Sequence, residues 1–412
     1  MAGAEAEWYG PKQLRRFSRL RLEHAELQRA LELSLAAPDR DEAGLLIASS
    51  LWIYWTACGL IGEGRGWLDR ALRSPTGPSR VRAKALWAAG WLAAFSGDAE
   101  AAVRLAADSR LLAGQLHDAS GLAYAAHVSG LAAALRGDLA AAEACFDEAL
   151  AGHRAVGDRA GVQLDLGQQA LVASLRGDTA STTLRYEQSR AAGEQNGESW
   201  HLSELTLGEG MARWRQGETE RPGVLVRDSL RVKASLDDSR GIALCAEVLA
   251  WIAQTEGHSE RAARLLGSAQ AIARTTGEPM FGFRPLMADH DRCETLARRA
   301  LGDTCFQAAF GEGARLAVDA AVAEALRDHS PQAGETARVV GAASAQARLT
   351  RREAEIAGFA ARGLTNKDIA AALVISQRTV EAHIDHILGK LGFSSRAQIA
   401  AWVAEHHAAS GE

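Results

Sequence analysis

Glycine returns every forty residues in this chain, at Gly97, Gly137, Gly177, Gly217 and Gly257, and each is followed by a polar residue: Asp98, Asp138, Asp178, Glu218 and His258. A second series keeps the same interval through Asp118, Asp158, Glu198, Asp238 and Glu278, three of which follow Gly157, Gly197 and Gly277. Each unit is therefore punctuated twice. The stretches between, roughly 18 to 20 residues long, carry apolar residues at helical spacing and lack proline-rich or β-branched runs, so each unit reads as two helices and two turns. Such a chain is all-α and stacks its helix pairs into a solenoid, because one pair cannot bury its apolar face alone. A hydrophobic content of 47% supplies the core.

Seven residues before each inner glycine stands a small one, Gly90, Gly130, Ala170, Gly210 or Ala250, where two helices can approach closely. In the clearest unit Gly130, Gly137, Ala142, Phe146 and Ala149 fall at consensus spacing. The region resembles tetratricopeptide repeats whose helices exceed those of the usual ~34-residue unit. Thr182 and Pro222 replace the small residue of the second helix in two units, and the first pair, about 43–72, keeps only a turn at Gly62–Glu63. Gly62, Gly64 and Gly66 follow no strand and lack phosphate-loop spacing, so they are read as that inter-helix turn. The uncharged stretch from Ala43 to Gly62 is about long enough to cross a bilayer. Ser49, Ser50 and Thr56, with Trp52, Tyr54 and Trp55 in mid-segment, mark it instead as a buried helix, and no membrane partner is expected. The expected array runs over 11–278 as a sensor whose concave face takes a peptide, a protein or a small-molecule effector. Capping helices follow over 279–327, and a linker over 328–347 carries Pro331, Gly334 and Gly341 without apolar periodicity.

A different pattern fills 348–412. Thr350 and Glu353 form a capping box that opens a helix with Ile356, Phe359 and Ala360 on one face. Thr365 opens a second, short helix with Ile369, Ala370 and Leu373 inward. Ser376 caps a third, in which Val380, Ile384, Ile387, Leu388 and Leu391 make one apolar stripe, and a fourth carries Ile399, Trp402 and Val403. A short helix, a tight turn and a longer helix with one free polar face is helix-turn-helix geometry. On that free face stand Gln377, Arg378, Glu381, Ala382 and Asp385, side chains able to read base edges in a major groove. Lys367, Lys390 and Arg396, with the helix starts at Thr365 and Ser376, are placed to hold phosphates.

The run from Leu349 to Trp402 resembles the DNA-binding domain of LuxR-type transcriptional regulators, through Leu349-Thr350, Arg352-Glu353, Gly363, Asn366-Lys367, Ile369-Ala370, Leu373, Ile375-Ser376, Thr379-Val380, His383, Lys390-Leu391-Gly392 and Arg396. A repeat array joined to such a domain resembles the C-terminal part of large ATPase-containing LuxR regulators. The resemblance implies a four-helix domain with its recognition helix at Ser376–Leu391, and adds Asn366 and Thr379 to the phosphate-binding set. It further implies double-stranded DNA as partner, a homodimer on an inverted-repeat operator formed through Ile399, Trp402 and Val403, RNA polymerase as a further partner, and activation of transcription. Glu381 and Asp385 depart from it, since relatives often carry Lys there. From Arg348 to His407 eight Lys or Arg face six Asp or Glu, a balance of only +2, so weak nonspecific binding and reliance on dimerisation are expected.

Other classes are disfavoured. A net charge of −5 argues against a surface that coats nucleic acid or membrane. Five unclustered cysteines do not form a disulfide framework, and with no secretory signal the expected compartment is the cytoplasm. Neither G-x-x-x-x-G-K-[ST], H-E-x-x-H nor G-x-S-x-G occurs, so no catalytic residue, enzyme activity or cofactor is expected. His290, Cys293 and Cys305 match no closed zinc spacing, and no metal is expected. Trp52, Trp55, Trp87, Trp91, Trp200, Trp214 and Trp251 are assigned to helix packing. The alternative to a DNA reader is a tetratricopeptide-type scaffold whose C-terminal bundle makes protein contacts, which Glu381 and Asp385 favour.

Overall fold

The computed structural model describes residues 10, 12–36, 41–74, 77–194, 199–276, 284–327, 351–361, 364, 366–373, 380, 384, 387 and 403. All regular elements among the described residues are helices. The chain divides into two compact units, Met1–His329 and Ser330–Glu412.

The first unit begins with α1 (Gln13–Leu22), α2 (His24–Ala36), α3 (Asp41–Ser50), α4 (Trp52–Ala57) and α5 (Ile61–Leu72). Five helix pairs at the forty-residue interval follow: α6 (Arg80–Phe95) with α7 (Ala99–Gln115), α8 (Ala119–Leu135) with α9 (Leu139–Val156), α10 (Arg159–Arg176) with α11 (Thr179–Glu194), α12 (Trp200–Arg215) with α13 (Glu220–Ser235), and α14 (Ser239–Thr255) with α15 (Ser259–Thr276). They are closed by α16 (Arg284–Leu301), α17 (Asp303–Ala314) and α18 (Val318–Leu326).

One turn, repeated, generates this order. Gly97, Gly137, Gly157, Gly177, Gly217 and Gly257 all take positive φ, between +74° and +85°. That left-handed residue ends a helix without the steric cost a Cβ would bring. The next residue's N–H then reaches the carbonyl five residues back, as Asp98 does to Ala93 (2.9 Å) and Asp138 to Ala133 (3.0 Å), closing the outgoing helix. The same residue opens the incoming one. Asp98, Asp118, Asp138, Asp158, Asp178 and Asp238 each accept the backbone N–H three residues on, at 2.9–3.2 Å, a cap worth about 1 kcal/mol. His117 and Asp237, both at φ +50°, occupy the left-handed position where the series has no glycine. C-cap and N-cap are thus fused into two residues, and the motif recurs every twenty.

The small residues work as their spacing predicts. A Cβ added at Gly130 would lie 2.6 Å from the Phe146 ring, and one at Gly90 or Gly210 within 2.9 Å of Val128 or Val226. At the end of the array Gly267 of α15 and Gly313 of α17 let the two backbones touch, and Ser268 donates to the Gly313 carbonyl at 3.1 Å.

The N-terminal stretch departs from expectation. Ala43–Gly62 is mostly buried, with both end residues exposed, and it is no single helix: α3 stops at Ser50, and Gly59 at φ +67° separates α4 from α5. The break frees the Ala48 carbonyl, which accepts from the Trp55 indole at 3.3 Å. Gly62, Gly64 and Gly66 lie inside α5 rather than in a turn, and Gly64 leaves room for Trp55, whose ring a Cβ there would meet at 2.4 Å. Trp52 packs edge-on to Trp87 and Trp91, and Trp87 stacks on Tyr124 at 4.2 Å. Trp52, Trp55, Trp87, Trp91, Trp200 and Trp251 are all buried, and Trp214 is half-buried.

The array also curls onto its own start. Gln13, fully buried, accepts from the backbone N–H groups of Ser199 (3.1 Å) and Trp200 (2.8 Å), capping α12 from 186 residues away. Arg21 pairs with Asp237, and Trp200 and Leu236 join the core that holds Phe17, Leu31 and Trp55. Among the described residues no helix is long and apolar enough to cross a membrane.

If the fused turn sets the fold, the two kinds of residue in its left-handed position respond oppositely to exchange. Nothing lies within 4 Å of a Cβ built on Gly137, so Gly137→Ala tests backbone conformation alone and costs about 1 kcal/mol. His117→Gly should raise the thermal midpoint. Thermal unfolding of both variants checks this, and equal losses in the two would contradict it.

Candidate functional site

In the C-terminal unit, α19 (Arg351–Ala361) and α20 (Asn366–Leu373) bring Ile356, Ala357 and Ala360 against Ile369 and Ala370. Val380, Ile384 and Ile387 are buried in the same cluster, at the i, i+4, i+7 spacing of one helix face. Val403 completes it at 8% exposure, which puts this expected dimer residue in its own domain's core. Asn366 and Lys367 form the first turn of α20. Gln377, Arg378, Glu381, Ala382, Asp385, Thr365, Ser376, Thr379, Lys390, Arg396, Ile399 and Trp402 lie outside the described residues.

Residues 347–403 match the family model of bacterial regulatory proteins, luxR family. The C-terminal domain is a LuxR-family helix-turn-helix domain. A Mycobacterium bovis protein named an HTH-type transcriptional regulator is 35% identical over 201 residues, 48% of this chain and 22% of that one. The chain thus spans about a fifth of that relative's length. The matched stretch is longer than the 83-residue C-terminal unit, so it takes in residues of the first unit. The Mycobacterium tuberculosis DNA-binding transcriptional activator DevR/DosR is 34% identical over 97 residues, 23% of this chain and 45% of that one. The transcriptional regulatory protein LiaR of Bacillus subtilis is 46% identical over 59 residues, 14% and 28% of the two chains. A solved Rap protein complexed with competence and sporulation factor superposes with a TM-score of 0.48 and 16% identity, over 64% of this chain and 74% of that one.

The LuxR domain's partner unit holds polar groups where a solenoid core is usually apolar. Asp165 on α10 receives His127 Nδ1 of α8 at 2.5 Å and His153 Nδ1 of α9 at 2.7 Å, and all three side chains are fully buried. A carboxylate accepts, so each Nδ1 donates. Lys233, fully buried, pairs with Glu204 and lies 3.5 Å from Asp238. Burial pushes the Glu204 carboxyl up, but Lys233 and then Arg240 hold it below its ordinary value, while burial raises Asp238 despite the same lysine. His290 Nδ1 meets Glu247 at 2.7 Å, and the Trp251 indole donates to that same oxygen at 2.7 Å. These ties link successive helix pairs. Sequence reasoning missed them, although charged or imidazole residues on inward stripes at 127, 165, 233 and 247 were a visible signal.

Between the inner helices lies a cavity of about 200 Å³, bordered by α6, α8, α10, α12 and α14, by Tyr186 of α11 and by Leu286 of α16. Leucines, Phe95 and Met211 make most of its wall, with Gln168, Tyr186, His201, Glu204 and Arg240 as polar exceptions. His201 is buried, and desolvation lowers its pKa from 6.5 to about 4. Above pH 6.5 the ring is neutral folded and unfolded. Between pH 6.5 and 4 the unfolded chain takes up a proton the native ring refuses, so stability falls as pH falls through that window. The loss reaches about 3 kcal/mol at pH 4. Chemical denaturation of wild type and His201→Gln at pH 6.5 and 4.5 checks this, and the same pH dependence in both would contradict it.

Proposed function

We propose that this chain is a LuxR-type transcriptional regulator that reads double-stranded DNA with its C-terminal domain and is controlled by what its helical array binds. The observation that carries the reading is the match over residues 347–403 together with the packed stripe Val380, Ile384 and Ile387 behind α20. With that stripe inward, helical spacing in the sequence assigns Gln377, Arg378, Glu381, Ala382 and Asp385 to base edges. Thr365, Asn366, Lys367, Ser376, Thr379, Lys390 and Arg396 are proposed phosphate contacts. Ile399 and Trp402 are proposed to form the dimer contact on an inverted-repeat operator, with Val403 holding their helix to the domain. Activation, which the relative named a transcriptional activator supports, is proposed to run through RNA polymerase. The array acts as sensor, 279–327 as its cap and 328–347 as the linker that couples it to the reader. An effector shifts DNA binding by its differential affinity for the two states of that coupling. The protein works in the cytoplasm and catalyses no reaction.

Fluorescence anisotropy against a mixed-sequence duplex at a series of salt concentrations tests the reading. Wild type should bind with a negative slope of log K against log salt, and Lys367→Ala should reduce that slope by about 1. Equal slopes would remove the phosphate role of Lys367, and salt-independent or absent binding would contradict DNA recognition. On a selected operator Arg378→Ala should cost about 1–3 kcal/mol and relax one base position.

A further inference from the structure

The cavity inside the array contains two hydrogen-bond donors that the protein leaves unused. Tyr186 is 3% exposed, and among the described residues its hydroxyl has no hydrogen-bond partner. Burial, the largest effect on it, raises its pKa, so the phenol keeps its proton and donates. Arg240 lies with its guanidinium 4.9 Å over the Phe95 ring, and its Nε also lacks a partner. Its contact with Glu204 is long, 3.9 Å, and Glu204 is already engaged by Lys233. Apart from Gln168 and His201 the rest of the wall is apolar, with Leu135, Leu171, Leu205 and Met211 among its side chains. The phenol packs against Gly208, where a Cβ would sit 2.5 Å from the Tyr186 oxygen.

We infer that this cavity binds a small apolar molecule carrying one carboxylate. The inference rests on the reading of the array as the effector-binding element and names the effector's chemistry. An apolar wall with a few convergent polar groups is what a small-molecule site requires. Buried donors without partners are costly, and an acceptor supplied by the ligand relieves that cost. A guanidinium presents a planar fork that matches a carboxylate in two parallel hydrogen bonds. A phosphate dianion fits poorly: Lys233 is fully buried between Glu204 and Asp238, which leaves Arg240 as the lining cation. A cationic ligand would meet Arg240, with Glu204 already neutralised.

The test is calorimetric titration of the full chain with decanoate, decanol and decyltrimethylammonium, each below its micelle concentration. Decanoate should bind at one site per chain, at least about tenfold tighter than decanol, with the cation weaker still. Arg240→Gln should remove the difference between decanoate and decanol, Tyr186→Phe should weaken decanoate several-fold, and Leu135→Trp should abolish binding by filling the cavity. Thermal unfolding of each variant establishes that it is folded. Equal binding of acid and alcohol, preference for the cation, no binding by any probe, or decanoate binding untouched by all three variants would each overturn the proposal. Duplex binding, measured separately by anisotropy, reports on the DNA-reading function, so failure of the ligand class and failure of the regulator reading give different results.

Discussion

Most described helix junctions in the array solve one backbone problem, how to stop a helix and start another within two residues. A left-handed residue ends the first helix, and the aspartate after it donates its N–H backward and accepts an N–H forward. Four orphan carbonyls and four orphan N–H groups would otherwise meet at each junction. The fused cap satisfies part of both sets and fixes the angle between consecutive helices. Among the described residues the left-handed position recurs at 97, 117, 137, 157, 177, 217, 237 and 257, and six of the junctions carry the aspartate cap.

Repetition of one angle brings distant parts together. The Gln13 amide caps α12, and the turn carrying Asp237 meets Arg21 and Gly59. That closure surrounds the cavity with inner helices from five successive pairs. Polar ties then lock pair to pair: Asp165 between two imidazoles, Lys233 between two carboxylates, Glu247 with His290. Removing one partner from such a buried group strands the other, which costs more than the tie itself contributes. A core stitched this way tolerates little sliding of one pair on the next.

The junctions were legible because glycine and aspartate are chosen there for conformation and hydrogen bonding, which leave a periodic trace in the residues. The trace failed at His117 and Asp237, side chains that tolerate the left-handed region well enough to stand in for glycine. It failed again over Ala43–Gly62, where a continuous apolar run has no period to show the break after Ser50 or the turn at Gly59. Gly64 looked like part of a turn, whereas its role is the space it leaves for Trp55. Closure by Gln13 and the buried His–Asp–His contact are set by tertiary geometry across many residues, to which local pattern is blind. In the C-terminal unit the apolar stripes through Ile356, Ile369, Val380 and Ile384 were readable and are buried, while the base-reading assignments rest on the sequence.

In the proposed division of labour the all-helical array senses and the LuxR domain reads. On that proposal the reader's modest positive balance makes sequence recognition and pairing of two copies weigh more than bulk attraction to phosphate. The central claim is that this domain reads sequence. Selection of the full-length protein on a random-sequence duplex library at moderate salt, followed by sequencing of the bound fraction, tests it most directly. The account predicts enrichment of a two-fold symmetric motif with half-sites one helical turn or a multiple apart. A bound fraction indistinguishable from the input library would contradict it.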